Sequence, residues 1–154
     1  MSRGYGGTVK TLPDAIRMSY TVDGDDYTSA GSASSDVKKT LKKLGLPPDT
    51  VKRVAICMYE GEINMVIHGG GGTANVAIHS DRIEVILADQ GPGIPDLQKA
   101  MQEGFSTASE AARNLGFGAG MGLPNMKKYS HEMTVESVIG QGTTVTMMIS
   151  TGVV

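Results

Sequence analysis

The eight residues Asp89-Gln90-Gly91-Pro92-Gly93-Ile94-Pro95-Asp96 set one acid ahead of two glycines, directly after the apolar run Ile83 to Leu87. A carboxylate so placed can accept a hydrogen bond from the amino group of an adenine. Glycines such as Gly91 and Gly93 let backbone approach a base and its phosphates closely. A second glycine cluster, Gly116-Phe117-Gly118-Ala119-Gly120-Met121-Gly122, opens onto a helical stretch. Backbone N–H groups at a glycine-rich helix entry suit anionic oxygens. An acid beside glycines, followed by a glycine hinge that starts a helix, is a way to hold a nucleotide.

A third element lies upstream. Glu60, Asn64 and His68 sit at i, i+4 and i+8, so they share one helix face with a drift of roughly 40° per step. Their neighbours Val54, Met58, Ile63, Val66 and Ile67 are apolar. A polar stripe on an otherwise buried helix needs a purpose, because unsatisfied polar groups in a core are costly. The carbonyl oxygen of Asn64 is a hard ligand of the kind Mg²⁺ takes alongside water and substrate phosphates. Glu60, one turn away, can accept a proton from an attacking water or hydroxyl. Taken alone, the pair is better explained by hydrogen bonds to loop backbone.

These residues must be positioned by regular elements, and the chain spells them out. Alternation of Ile16, Met18, Tyr20 and Val22 reads as a strand over 15–22. Residues 23–35 are small and polar, a loop ending in helix-cap chemistry. Val37, Leu41 and Leu44 have helical spacing over 36–44, and Gly45 with Pro47-Pro48-Asp49 ends that helix. Residues 50–68 form a long, mostly buried helix, stopped by Gly69 to Gly72. Strands follow at 73–80 and 82–89, with a tight turn at Ser80-Asp81. A short helix spans 97–103, residues 104–120 lack periodicity, and a helix runs over 121–129. Strands at 133–138 and 143–150 close as a hairpin around Gly140-Gln141-Gly142. The expected fold is α+β: an α/β sandwich with a mixed, mostly antiparallel sheet and helices on one face.

The composition bounds the rest. A chain of 154 residues with 40% hydrophobic content can bury a real core and reads as one domain over 1–154, with 1–11 disordered. A formal charge of −2 creates no basic field for nucleic acid. The single cysteine excludes an internal disulfide framework. No long apolar run points to a membrane, and a cytoplasmic location is expected. There is no G-K-S or G-K-T, so a Walker loop is excluded, and Leu123 in the sixth position breaks the dinucleotide fingerprint. His68, His79 and His131 are scattered over different elements, which argues against zinc. Cys57 reads as core.

Together the motifs resemble the GHKL, or Bergerat-fold, ATPase superfamily. Glu60-Gly61-Glu62-Ile63-Asn64 is similar to its acid-and-asparagine helix, Asp89 to Gly93 to its D-x-G-x-G box, and Gly118-Ala119-Gly120-Met121-Gly122 to its second glycine box. Gly142-Thr143-Thr144 resembles its final G-T-T strand. The likeness runs over roughly residues 15–150, in order. Within the superfamily, Asp89 to Asp96, Glu103 to Thr107 and Leu123-Pro124 look most like the anti-sigma-factor and stressosome switch serine kinases.

That resemblance implies roles. Glu60 would be the general base for a serine or threonine hydroxyl and Asn64 would hold Mg²⁺. Asp89 would bind adenine, with Gly91 and Gly93 beside the base and Thr144 assisting. Gly118, Ala119, Gly120, Met121 and Gly122 would cradle the phosphates of ATP, and His68 would either reach a phosphate or cap its helix. Residues 104–120, Thr107 among them, would form the ATP lid. The implied partners are a STAS-domain protein substrate, a sigma factor or phosphatase effector, and a second copy as homodimer. Alternatives are a nucleotide-gated binding module without turnover and a detached histidine-kinase-like ATPase domain. Two departures stand out: Gly118 fills a slot where some anti-sigma relatives carry arginine, leaving Mg²⁺ and backbone dipoles, with Arg113 or Lys99, to meet phosphate charge, and 108–114 lengthens the lid. Lys38, Lys39, Lys42 and Lys43 form a solvated helix surface or a dock for an acidic partner.

Overall fold

Ile16–Asp23 (β1), Gly71–Ile78 (β2), Arg82–Ala88 (β3), Glu132–Val138 (β4) and Gly142–Ser150 (β5) form one five-stranded sheet in the order β1-β2-β3-β5-β4. Every neighbouring pair is antiparallel. Among the described residues the helices are Ser32–Lys43 (α1), Pro48–Ile67 (α2), Leu97–Ala100 (α3) and Gly122–Tyr129 (α4), with a 3-10 turn at Tyr27–Ser29. This computed structural model describes residues 15–68, 70–94, 96–102 and 122–152. The expected disorder of 1–11, the whole of the expected lid over 104–120, and the assignments to Arg113, Thr107, Gly118, Ala119, Gly120 and Met121 lie outside the described residues.

The α+β expectation holds, with the sheet wholly antiparallel among its described strands. Alternation places Ala74, Val76 and Ile78 of β2, Ile83, Val85 and Leu87 of β3, and Val145, Met147 and Ile149 of β5 in one buried layer. Val37 and Leu41 of α1, Val54, Cys57 and Met58 of α2, and Leu123 and Met126 of α4 pack onto it. The opposite sheet face carries an in-register row of Ser19, Asn75, Ile86, Thr146 and Thr134.

Local chemistry explains the element ends. Leu46 N–H donates to Leu41 C=O and Gly45 N–H to Lys42 C=O, with Gly45 at φ +77°, so α1 ends in a Schellman turn. α2 starts at Pro48, with Asp49 in its first turn. β2 begins at Gly71, two residues before the expected Thr73, because Gly71 and Gly72 are themselves strand residues paired with Asp23 and Val22. A Cβ at Gly72 would strike the Ala88 carbonyl and come within 2.8 Å of Met65 Sδ. Glycine here permits the close packing of α2 on the sheet instead of breaking the strand.

α1 begins at Ser32, four residues before the expected Asp36. Its N-cap, Gly31, has no side chain to satisfy the first turn. The cap comes from α2. Glu62, 2% exposed, accepts from the N–H groups of Gly31 (3.0 Å), Ala33 (3.2 Å) and Ser34 (2.6 Å). A buried carboxylate is tolerable here because three donors and the positive end of the α1 dipole meet it.

Candidate nucleotide site

Asp89 leaves the end of β3 on the helix-covered side, in phase with Ile83, Val85 and Leu87. Its Oδ1 accepts from Gly91 N–H at 2.9 Å and Thr143 N–H at 3.2 Å, and its own N–H donates to Thr143 C=O at 2.9 Å. The carboxylate thus folds its own loop and fastens that loop to β5. Further along, Ile94 N–H donates to Ser137 Oγ at 2.7 Å, and Ser137 Oγ lies 2.9 Å from Thr143 Oγ1. Gly140 N–H donates to Pro92 C=O at 3.0 Å.

Gly93 adopts φ +83°, and a Cβ there would lie 2.7 Å from Val138 C=O. Both the left-handed backbone and the contact demand glycine. Across the loop, a Cβ on Gly142 would overlap the Asp89 carbonyl. The D-x-G-x-G loop and the closing hairpin are therefore one unit built on mutual backbone approach.

Thr144 lies on β5, next to Thr143. It pairs in register with Ala88 and Glu136 and alternates away from the buried layer that holds Thr143, Val145 and Met147. The threonine in contact with Asp89 is Thr143, 9% exposed. The G-T-T spelling offers two threonines, and only the strand phase relative to Val145 distinguishes them.

On α2, Glu60 and Asn64 meet α4. Asn125 Nδ2 donates to Glu60 Oε2 at 2.8 Å. Gly122 lies against Asn64 so closely that a Cβ would sit 2.8 Å from both the amide nitrogen and oxygen. The last glycine of the second box therefore makes room for the asparagine. Asn125 was missed in the sequence; a single polar residue in a short helix carries no periodic signal.

His68 is the C-cap of α2, its N–H donating to Asn64 C=O at 2.9 Å. Its imidazole also feels Asp89. Loss of hydration on its inner side pulls its pKa below the ordinary histidine value, and the Asp89 carboxylate opposes that pull. The end of α2 and the acid of the D-x-G-x-G box therefore share one electrostatic environment.

The remaining titratable groups have other uses. Burial pushes the Cys57 thiol up to about 12, and its Sγ lies 3.6 Å from Met126 C=O. That is the chemistry of a core residue, not of a nucleophile. His79 contacts Glu84 at 3.1 Å, and His131 Nδ1 accepts from Ser150 N–H at 3.0 Å. Lys38, Lys39, Lys42 and Lys43 are exposed, as is Lys99. No helix among the described residues is long and apolar enough to cross a membrane.

Residues 50–152 match the family of histidine kinase-, DNA gyrase B-, and HSP90-like ATPases. The chain belongs to that family. The match takes in Glu60, Asn64, Asp89, Asn125 and Thr143 together. Among its relatives is the serine/threonine-protein kinase RsbT of Bacillus subtilis (strain 168), 34% identical over 110 residues, 69% of this chain and 77% of the relative. The anti-sigma F factor of Thermoanaerobacter sp. (strain X514) is 35% identical over 104 residues, 64% of this chain and 69% of the relative.

Two solved structures share the ATPase fold. The RsbU and RsbW domains of Rv1364c from Mycobacterium tuberculosis superpose with a TM-score of 0.60 at 16% identity, over 87% of this chain and 31% of that longer one. The SiaB-SiaC complex of Pseudomonas aeruginosa gives a TM-score of 0.59 at 12% identity, over 88% of this chain and 90% of that one. At such identities the likeness concerns the fold alone.

Proposed function

We propose that this ATPase-family chain is an ATP-dependent protein serine/threonine kinase of a partner-switching system, acting on a STAS-type antagonist protein. The observation that carries the reading is the α2–α4 pairing: an acid held by Asn125 and, one turn on, an amide seated against Gly122. Kinship with RsbT and with anti-sigma F factors supports the partner-switching assignment.

In this reading Asp89 receives the adenine amino group. Its Oδ1 accepts from two backbone donors, which leaves Oδ2 as the oxygen to take the amino group. Thr143, rather than Thr144, borders the base. Asn64 is the residue for Mg²⁺: its amide oxygen is a hard donor, and Gly122 packs against the amide with no side chain to displace it. When bound, the metal supplies charge neutralisation for the triphosphate. Glu60 accepts the proton of the incoming hydroxyl. The glycines ahead of α4 give backbone N–H groups to phosphate oxygens.

The test is transfer from γ-labelled Mg-ATP into an extract of the source cells, with wild-type protein beside Glu60→Gln. One small protein carrying acid-stable label only with wild type supports the kinase. Acid-labile label would indicate a histidine acceptor. A nucleotide-gated binding module is favoured if ATP binds but no Glu60-dependent label appears; the anti-sigma F relatives motivate that second reading.

A further inference from the structure

Four contacts run in order along the seam between α2 and α4. Asn64 lies against Gly122, Glu60 accepts from Asn125, Cys57 Sγ approaches Met126 C=O at 3.6 Å, and Arg53 Nη1 donates to Tyr129 C=O at 3.4 Å. Numbers fall along one helix as they rise along the other, so the helices are antiparallel. Two of the contacts, the buried Cys57–Met126 and the part-buried Arg53–Tyr129, close the end of the seam nearer the start of α2. The other two hold the only α2 side chains that the proposed chemistry uses next to α4.

The Glu60–Asn125 contact is chemically directed. An ionised carboxylate only accepts hydrogen bonds, so the amide must turn its NH₂ group toward Glu60. Asn125 uses Nδ2 on Oε2, and a carboxylate has a second oxygen with its own lone pairs. Glutamate has three side-chain torsions, and a half-buried glutamate with no anchor would spread over several rotamers. One bond to one oxygen removes that freedom and leaves the other oxygen to meet a substrate proton.

We infer that Asn125 is the positioning residue for Glu60: it fixes the carboxylate through Oε2 and thereby sets the direction in which the base is presented. This deepens the kinase reading and rests on it. Asn125 touches neither the adenine loop nor Asn64 among the contacts described, so its loss should act on turnover and not on nucleotide affinity.

The experiment is a double-mutant cycle in the full chain, combining Asn125→Ala with Glu60→Gln, read by transfer kinetics and by calorimetry with Mg-ATP. Asn125→Ala is expected to lower kcat by up to about 100-fold, the scale of a slightly misplaced catalytic group. ATP affinity should stay within about twofold, and the substitution should have no further effect on the residual turnover of the Glu60→Gln protein. Asn125→Asp, which keeps the shape but removes the donor and adds a like charge, should be at least as damaging. Equal losses in the wild-type and Glu60→Gln backgrounds, or parallel loss of ATP affinity, would overturn the inference. To separate this from failure of the kinase reading, the same cycle is read by urea unfolding. Stability coupling between positions 60 and 125 without Glu60-dependent transfer would reject the kinase, and with it Glu60 as a base. Absence of coupling alongside intact Glu60-dependent transfer would reject the role of Asn125 alone.

Discussion

Glu60 and Glu62 stand two residues apart on α2 and look away from each other. Two residues subtend about 200° on a helix, so Glu60 meets Asn125 of α4 while Glu62 meets the N-terminus of α1. One acid is half-buried beside the candidate site; the other is 2% exposed and accepts from three N–H groups. The same side chain is assigned to chemistry in one case and to architecture in the other, by direction alone.

Glu62→Ala should therefore be the more damaging change for stability. It leaves the first turn of α1 without its acceptor in a buried setting, at a cost of about 2–4 kcal/mol. Urea unfolding checks this. Glu60→Ala should cost well under half as much, and equal losses would remove the structural distinction between the two acids.

The proposed roles on α2 separate binding from transfer. Glu60→Gln should retain Mg-ATP binding and lose at least about 100-fold in transfer rate. Asn64→Ala should instead weaken Mg-ATP, by about 10–100-fold or more, measured by calorimetry with and without Mg²⁺. A Glu60→Gln protein with full turnover removes the base assignment, and an Asn64→Ala protein with unchanged affinity removes the metal assignment.

Cys57 makes a prediction at alkaline pH. Its thiol rises from an ordinary value of 9.0 to about 12 through burial. Between these values the unfolded chain has lost the proton while the folded chain keeps it, so unfolding is favoured as pH rises. The stability contribution is complete below pH 9.0 and declines above it. Cys57→Ala should flatten that decline in unfolding measurements from neutral pH to about pH 11. Native protein should also react with iodoacetamide much more slowly than unfolded protein.

His68 provides a reporter for the acid of the D-x-G-x-G box. Its pKa lies below the ordinary histidine value because partial burial outweighs the attraction of Asp89. Asp89→Asn removes that attraction and should lower the midpoint further, as seen by NMR titration of the imidazole. Since the folded value is depressed, stability from neutral His68 is present above the unfolded pKa and is lost as pH falls below it. An unmoved midpoint in Asp89→Asn would show that the two groups do not communicate.

The strands and the long helix could be read from the sequence because each buries a periodic apolar set. Ile83, Val85 and Leu87 alternate, and Val54, Cys57 and Met58 recur on α2. The D-x-G-x-G loop was equally legible, since Gly93 has to be glycine for both its φ and its neighbour. What escaped were features decided between distant segments. α1 starts early because Glu62 caps it from 28 residues away at Ser34. Strand phase puts Thr143 against Asp89, and Asn125 reaches Glu60 only because α4 lies against α2. Local propensity contains none of these.

Asp89 is tied to Thr143 across a separation of 54 residues, and β5 inserts between β3 and β4. During synthesis the anchor for the D-x-G-x-G loop therefore emerges from the ribosome long after the loop itself. A chain stalled before residue 142 has the acid and both glycines of its box but no strand to set them in register. Such fragments would carry the motif without the β5 backbone that fastens its acid, so the loop reaches its final shape only once that strand has been made.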